Sequence, residues 1–175
     1  ALVREGPGGQ QQVTKNMVLI VGHRGARNLW PENSLEGFRR TLELGVDGVE
    51  LDVHLSRDGE LVVIHDPTLE RTTEGHGPVH DRTAAELAAT RLRDAAGEGV
   101  PRLDAVLDVF QGSSVELHLE IKTDAAGRPY GGLESKLLQA IERRRLGPRA
   151  IVTCFVPQIL DAVRAVDARQ RVLAS

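Results

Sequence analysis

Cysteine is nearly missing from this sequence: Cys154 stands alone among 175 residues, so no disulfide can form within the chain. That excludes a fold stapled by cystines and is compatible with a reducing compartment, so a cytoplasmic location is the expectation. Aromatic residues are almost as scarce, with three Phe, one Trp and one Tyr, and the core must therefore be aliphatic. No apolar run approaches the roughly 20 residues of a bilayer-spanning helix. The longest early one, residues 17–21, also lacks the flanks of a secretory leader, so no membrane anchor is expected. Excess positive charge is lacking too, since a net charge of -3 gives no overall basic field for a nucleic-acid backbone. Nucleic acid is not an expected partner, whereas composition leaves an oligomer open.

What is present suffices for one globular domain with its own core. Residues 1–16, with Gly6-Pro7-Gly8-Gly9 and three consecutive Gln, read as a flexible extension, and residues 17–175 as the domain. Residues 18–21 are a continuous apolar run ending at Gly22-His23, the pattern of a parallel strand buried on both faces. After Pro31, Asn33 is placed as a helix N-cap with Glu36 three residues on, and Leu35, Phe38 and Leu42 recur at helical spacing up to Gly45. Residues 49–55 alternate strictly, with Val49, Leu51, Val53 and Leu55 on one face and Glu50, Asp52 and His54 on the other. Asp58-Gly59 signals a turn into a short strand over 61–64, which ends at His65-Asp66.

Residues 67–100, rich in turn formers and with one short helix around 84–92, read as an insertion after the second core strand. A helix over 103–110 precedes a strand over 115–121, where Leu117, Leu119 and Ile121 oppose His118, Glu120 and Lys122. A helix over 133–145, a strand over 151–155, a helix over 158–166 and a strand from 171 follow. The order implies β-α-β crossovers and a parallel sheet, closed as a (β/α)8 TIM barrel or left open and doubly wound. Side-chain parity favours the barrel: the apolar faces pack on outer helices while the polar triplets point inward at the mouth. An open sheet would bury those charges under helices. A full barrel takes about 250 residues, and residue 175 falls in the fifth core strand, so the barrel is expected to be incomplete in this chain. Further residues or another chain are expected to supply the remaining strands.

Glu50-x-Asp52 alone reads most simply as a solvated acidic strand face. Glu120, on another strand of the same sheet, changes that reading, because three converging carboxylates repel one another unless a hard cation such as Mg²⁺ or Ca²⁺ sits among them. His23 and His65 each follow an apolar strand. Either alone would pass for a structural histidine, but a pair of imidazoles flanking a phosphodiester can act as base and acid. Arg24 and Lys122, otherwise ordinary ion-pairing residues, could neutralise a phosphate. His54 and His118 share the inward parity and read as polar filler deeper in the barrel. Asn33 is accounted for by helix capping, and Cys154 by packing.

Taken in order, His23-Arg24-Gly25, Pro31-Glu32-Asn33, Gly48-Val49-Glu50-Leu51-Asp52-Val53, Asp58-Gly59, His65-Asp66, Arg71-Thr72-Thr73, Gly75-x-Gly77, Pro101-x-Leu103 and Glu120-Ile121-Lys122 resemble the glycerophosphodiester phosphodiesterase family. Each motif is weak alone, and their order and spacing over residues 23–122 are specific. The resemblance implies a TIM barrel and one divalent metal ion, Mg²⁺ or Ca²⁺, serving hydrolysis of a small glycerophosphodiester to sn-glycerol 3-phosphate and an alcohol. It implies His23 and His65 as the acid/base pair, Glu50, Asp52 and Glu120 as metal ligands, and Arg24 and Lys122 as phosphate contacts. It further implies attack by the glycerol 2-hydroxyl on phosphorus, followed by hydrolysis of a cyclic phosphate. Cys154 stands where many relatives have a small polar residue, which bears on the expected polarity of the pocket. Two rival readings are a lysophospholipase D or sphingomyelinase D-like enzyme and a catalytically silent barrel used for binding. The polar look of residues 67–99 favours water-soluble diesters over lipids, and the full set of catalytic groups argues against a silent barrel.

Overall fold

The computed structural model describes residues 18–175. The extension expected over residues 1–16 lies outside them. Strand β1 (Val21–Gly22) is only two residues long, because Val18, Leu19 and Ile20 stay exposed and only Val21 and Gly22 pair, with Gly48 and Val49 of β2 (Gly48–Leu55). The run expected as a strand over residues 18–21 thus pairs with β2 only from Val21 onward. Between β1 and β2 lies helix α1 (Leu35–Glu43), whose N-cap is Ser34. Its hydroxyl accepts from Gly37 N at 2.9 Å and donates to the Pro31 carbonyl at 2.7 Å. The capping expected of Asn33 is therefore wrong by one residue: Asn33 sits at φ 55°, which turns its side chain into the buried interior and leaves the capping position to Ser34.

Strand β3 (Leu61–Val63) turns back antiparallel on β2, with Val53 opposite Val63 and Leu55 opposite Leu61. Next come α2 (Ala84–Ala89), α3 (Leu103–Val109), β4 (Glu116–Ile121), α4 (Leu133–Arg143), β5 (Ala150–Cys154), α5 (Pro157–Val166) and β6 (Arg171–Ala174). The path β1-β2-β4-β5-β6 is parallel throughout, and β3 hangs from β2 alone. Each neighbouring pair on that path after β1 and β2 is joined through helices, so the sheet is the arc of a (β/α)8 barrel, not closed by hydrogen bonds.

Alternation divides the strands as their sequences require. Val49, Leu51, Val53, Leu117, Leu119, Ile121 and Val152 are buried against Phe38, Leu103, Leu107, Leu133 and Leu137 of the helices. Phe38 and Phe110, two of the few aromatic residues, meet edge to face with centroids 5.8 Å apart. The helix expected around 84–92 stops at Ala89, though Thr83 and Glu86 give it a full capping box, and Leu92 reaches its buried place from an isolated bridge with Thr73. Residues 67–100 are built around a second apolar cluster of Leu69, Val79, Leu87, Leu92 and Val100, which takes Val62 and Ile64 from the hairpin. Ser34→Ala should cost about 1 kcal/mol, read as a lowered denaturant midpoint; an unchanged midpoint would show that the cap does not order the entry to α1.

Candidate active site

Strand register brings the polar residues together. β1 ends with Gly22 opposite Val49, so His23 arrives level with Glu50. The turn that follows uses positive φ at Arg24, Gly25 and Ala26 (52°, 70° and 60°), and a Cβ on Gly25 would meet the Phe38 ring at 3.0 Å. Arg24 N donates to Glu50 Oε2 at 3.0 Å, and His23 Nε2 lies 3.7 Å from the same oxygen. Asp52 and Glu120 are direct partners across β2 and β4. The antiparallel return of β3 carries the chain back beside Asp52, where Ile64 N donates to the Asp52 carbonyl at 3.2 Å, and His65 follows.

Glu50, Asp52 and Glu120 each offer a carboxylate oxygen within 4.8 Å of the other two. Asp52 is fully buried and Glu120 nearly so. Asn33 Nδ2 donates to Asp52 Oδ2 at 2.8 Å, and Arg24 Nε stands 3.6 Å from that oxygen. Lys122 Nζ donates to Glu120 Oε1 at 2.7 Å and lies 3.4 Å from Asp52 Oδ1 without hydrogen-bond geometry. Glu50 Oε1 and Asp52 Oδ1 are buried without a hydrogen-bond partner. Buried carboxylate oxygens are costly unpaired, and two of them converging with a third carboxylate fit a hard divalent cation. Burial, then the Asp52 charge, raises the Glu50 carboxyl to about 8.

The two histidines differ. His23 is half-exposed, and burial, followed by the charges of Arg24 and Arg27, lowers its pKa, which keeps it neutral at pH 7. His65 Nδ1 lies 2.6 Å from Asp66 Oδ1. Asp66 is held down at about 2, first by hydrogen bonds from Arg71 and then by His65, so it is an ionised acceptor that fixes the Nδ1–H tautomer and leaves Nε2 free. Arg71 grips Asp66 through Nε (2.6 Å) and a terminal nitrogen (3.0 Å), and Glu32 through both terminal nitrogens (2.9 and 2.7 Å). Glu32 in turn accepts from Arg24 at 3.3 Å. A chain of charges thus runs from His65 to Arg24.

Reading the sequence by spacing missed the supporting residues: Glu32, Asn33, Asp66 and Arg71 all contact the seven expected site residues or one another. Their signal lies in the motifs Pro31-Glu32-Asn33, His65-Asp66 and Arg71-Thr72-Thr73, where Asn33 reads as a helix cap and the other three carry no assigned role. His54, expected as filler, is buried between Tyr130 Oη (2.8 Å from Nδ1) and the His65 carbonyl (3.1 Å from Nε2). A carbonyl can only accept, so Nε2 carries the proton and His54 ties down the backbone of His65. Burial lowers the His54 pKa to about 4, which keeps it neutral. His118 bonds Glu116 at 3.0 Å near the start of β4. Cys154 packs in the helix-side core with its thiol 3.1 Å from the Ile121 carbonyl, and Thr153, paired with Glu120, is the β5 residue on the carboxylate face. The cysteine therefore takes the helix-side face, although the charges of Glu120 and Lys122 still reach its thiol. Among the described residues no helix is long and apolar enough to cross a membrane.

Residues 23–174 match the glycerophosphoryl diester phosphodiesterase family. The chain belongs to that family. A glycerophosphodiester phosphodiesterase of Caldanaerobacter subterraneus subsp. tengcongensis is 40% identical over 142 residues, covering 78% of this chain and 58% of the relative. A solved structure of a family protein from Agrobacterium tumefaciens superposes with a TM-score of 0.85 at 30% identity, over 89% of this chain and 63% of that one. An Oleispira antarctica phosphodiesterase, solved with the product sn-glycerol-3-phosphate, superposes with a TM-score of 0.73 at 27% identity, over 90% of this chain and 64% of that one. The chain thus spans about three fifths of the length of these family members.

The raised Glu50 value sets a pH dependence. Between the ordinary carboxyl value of 4.5 and about 8 the native state keeps a proton that the unfolded chain has released, so this group makes stability fall as pH rises. His54 acts in the opposite direction, but only below its ordinary value of 6.5. In EDTA the melting temperature should therefore fall from pH 6.5 to 8, and the increment given by added Mg²⁺ or Ca²⁺ should grow over the same interval; a constant increment would detach Glu50 from the cation. His54→Leu should destabilise by about 1–3 kcal/mol, because Tyr130 Oη and the His65 carbonyl lose their buried partner. Chemical denaturation reads this, and a loss below about 0.5 kcal/mol would mean that water replaces the imidazole.

Proposed function

We propose that the protein hydrolyses glycerophosphodiesters to sn-glycerol 3-phosphate and an alcohol, using one divalent cation, Mg²⁺ or Ca²⁺, held by Glu50, Asp52 and Glu120. The observation that carries the reading is the pair of buried oxygens on Glu50 and Asp52 that accept no hydrogen bond, with a third carboxylate, two cationic side chains and two histidines around them. Charge balance supports it. With all three ionised, as they would be around a cation, the carboxylates exceed Arg24 and Lys122 by one negative charge; a divalent cation reverses the sign, and a phosphodiester monoanion then neutralises the site. The family relationship and the product bound to the Oleispira antarctica relative point to the same reaction.

When bound, the cation supplies Lewis-acid charge to the phosphoryl oxygens and the glycerol 2-hydroxyl. Arg24 and Lys122 hold the phosphate and offset the charge that builds up on it during displacement. His23, neutral because burial and neighbouring cations disfavour its charged form, accepts the proton of the 2-hydroxyl as that oxygen bonds to phosphorus. His65 enters this step as the imidazolium, with Nδ1–H held by Asp66, and gives its Nε2 proton to the departing alcohol as the bond from phosphorus to the head-group oxygen breaks. A cyclic phosphate results. Water then adds to phosphorus, giving its proton to His65, while His23 returns a proton to the 2-oxygen and the 3-phosphate is released. Tethering the nucleophile beside phosphorus removes much of the entropic cost of a bimolecular encounter.

The protein with Mg²⁺ or Ca²⁺ should release glycerol 3-phosphate from glycerophosphocholine and lose that activity in EDTA. His23→Ala and His65→Ala should each lower kcat by a factor of about 10²–10⁴ with the circular dichroism spectrum preserved. Metal-supplemented protein that releases no glycerol 3-phosphate from any head-group diester would sink the proposal, and release of choline from lysophosphatidylcholine alone would move it to the lysophospholipase D reading.

A further inference from the structure

Next to the proposed catalytic groups a cleft of about 530 Å³ lies between residues 27–32 and two stretches of the insertion, 71–72 and 92–94. Its size falls in the range of about 300–1,000 Å³ usual for small-molecule sites. Glu32 and Arg71 form the shared wall: both line the cleft, Glu32 contacts Arg24, and Arg71 contacts Asp66, which holds His65. A phosphate held at Arg24, whose leaving alcohol is protonated by His65, therefore has its head group directed towards this cleft.

The charges of the lining are unequal. Arg71 and Glu32 satisfy one another. Arg27 and Arg93 are exposed on the lining and, among the described residues, make no ion pair, Arg93 giving one long hydrogen bond to the Glu70 carbonyl (3.4 Å); Asp94 is the one carboxylate of the lining that is likewise without an ion pair. Arg27 is also close enough for its charge to be felt at His23. Trp30, Leu29 and Leu92 give the cleft an apolar side. The indole could attract a quaternary ammonium, but two unneutralised guanidinium groups in the same cleft oppose it. Guanidinium groups match carboxylate and phosphate oxygens in a two-pronged geometry.

Resting on the function proposed above, we infer that this cleft is the head-group subsite and that Arg27 and Arg93 make it select diesters whose head group carries its own negative charge, as a carboxylate or a second phosphate. The insertion, through Arg93, then contributes to choice of substrate as well as to the support of His65.

The test pairs head groups that differ in charge: glycerophosphoinositol phosphate against glycerophosphoinositol, and glycerophosphoglycerate against glycerophosphoglycerol, assayed with Mg²⁺. The acidic member of at least one pair should have the higher kcat/KM, by roughly five- to thirtyfold if each exposed contact is of ordinary strength, and through KM. In the Arg27→Gln/Arg93→Gln variant that ratio should collapse towards one. Calorimetric binding of the same four diesters to the His65→Ala variant with Mg²⁺ reads the preference without turnover. Discrimination in binding with no turnover in the parent protein would refute the proposed reaction and keep the subsite. Turnover with ratios near one in both pairs, or a preference that survives the double substitution, overturns the subsite.

Discussion

Three carboxylates forced to share one small volume are the constraint around which this molecule is organised. Glu50 and Asp52 cannot separate, because they are two residues apart on one strand, and Glu120 cannot withdraw, because β4 pairs with β2 in a register that sets it against Asp52. The apolar residues between them hold the register: slipping either strand by one position would turn Val49, Leu51 and Val53 away from the helices and the acids into the core. The favourable packing of the outer face thus sustains the unfavourable crowding of the inner one. Lys122, Arg24 and Asn33 relieve part of the repulsion, and Glu50 Oε1 and Asp52 Oδ1, the oxygens to which they donate no hydrogen bond, are those left for a cation.

Support for the His65 ring comes from outside the barrel strands. Arg71 belongs to the insertion, and its two carboxylate partners belong to the loop before α1 and to the end of the hairpin. Exposed ion pairs taken singly contribute little. Here the planar guanidinium meets both carboxylates in a two-pronged fashion, so its value is geometric: it fixes where Asp66, and through it His65, can lie. The His65 backbone is fixed separately by His54, which is locked by Tyr130. Ring and main chain of the same residue are therefore positioned by different parts of the sequence.

Much of this was legible beforehand, for a reason visible in particular residues. Strict alternation over residues 49–55 and 115–121 assigns faces without knowledge of the partner strand, so Glu50, Asp52 and Glu120 could be grouped from sequence, and the barrel could be preferred to an open sheet. Asn33 escaped because capping and inward hydrogen bonding suit the same side chain, and the sign of one φ angle decides between them. Cys154 was ambiguous because a small thiol fits either face of a strand. The run before His23 pairs over fewer residues than its apolar character suggests, since apolar character does not fix where pairing begins.

Sequence alone determined the periodicities, and with them the elements, the face each side chain takes and the membership of the acidic trio, because those depend on the two-residue repeat of an extended backbone. Tertiary structure decided what lies across from what: that β3 folds back to bond Ile64 to the Asp52 backbone just before His65, that Arg71 spans 39 residues of sequence to reach Glu32, and that a cleft opens between the insertion and the first loop. These juxtapositions arise from the packing of separate segments in space, and no local pattern in the chain encodes them.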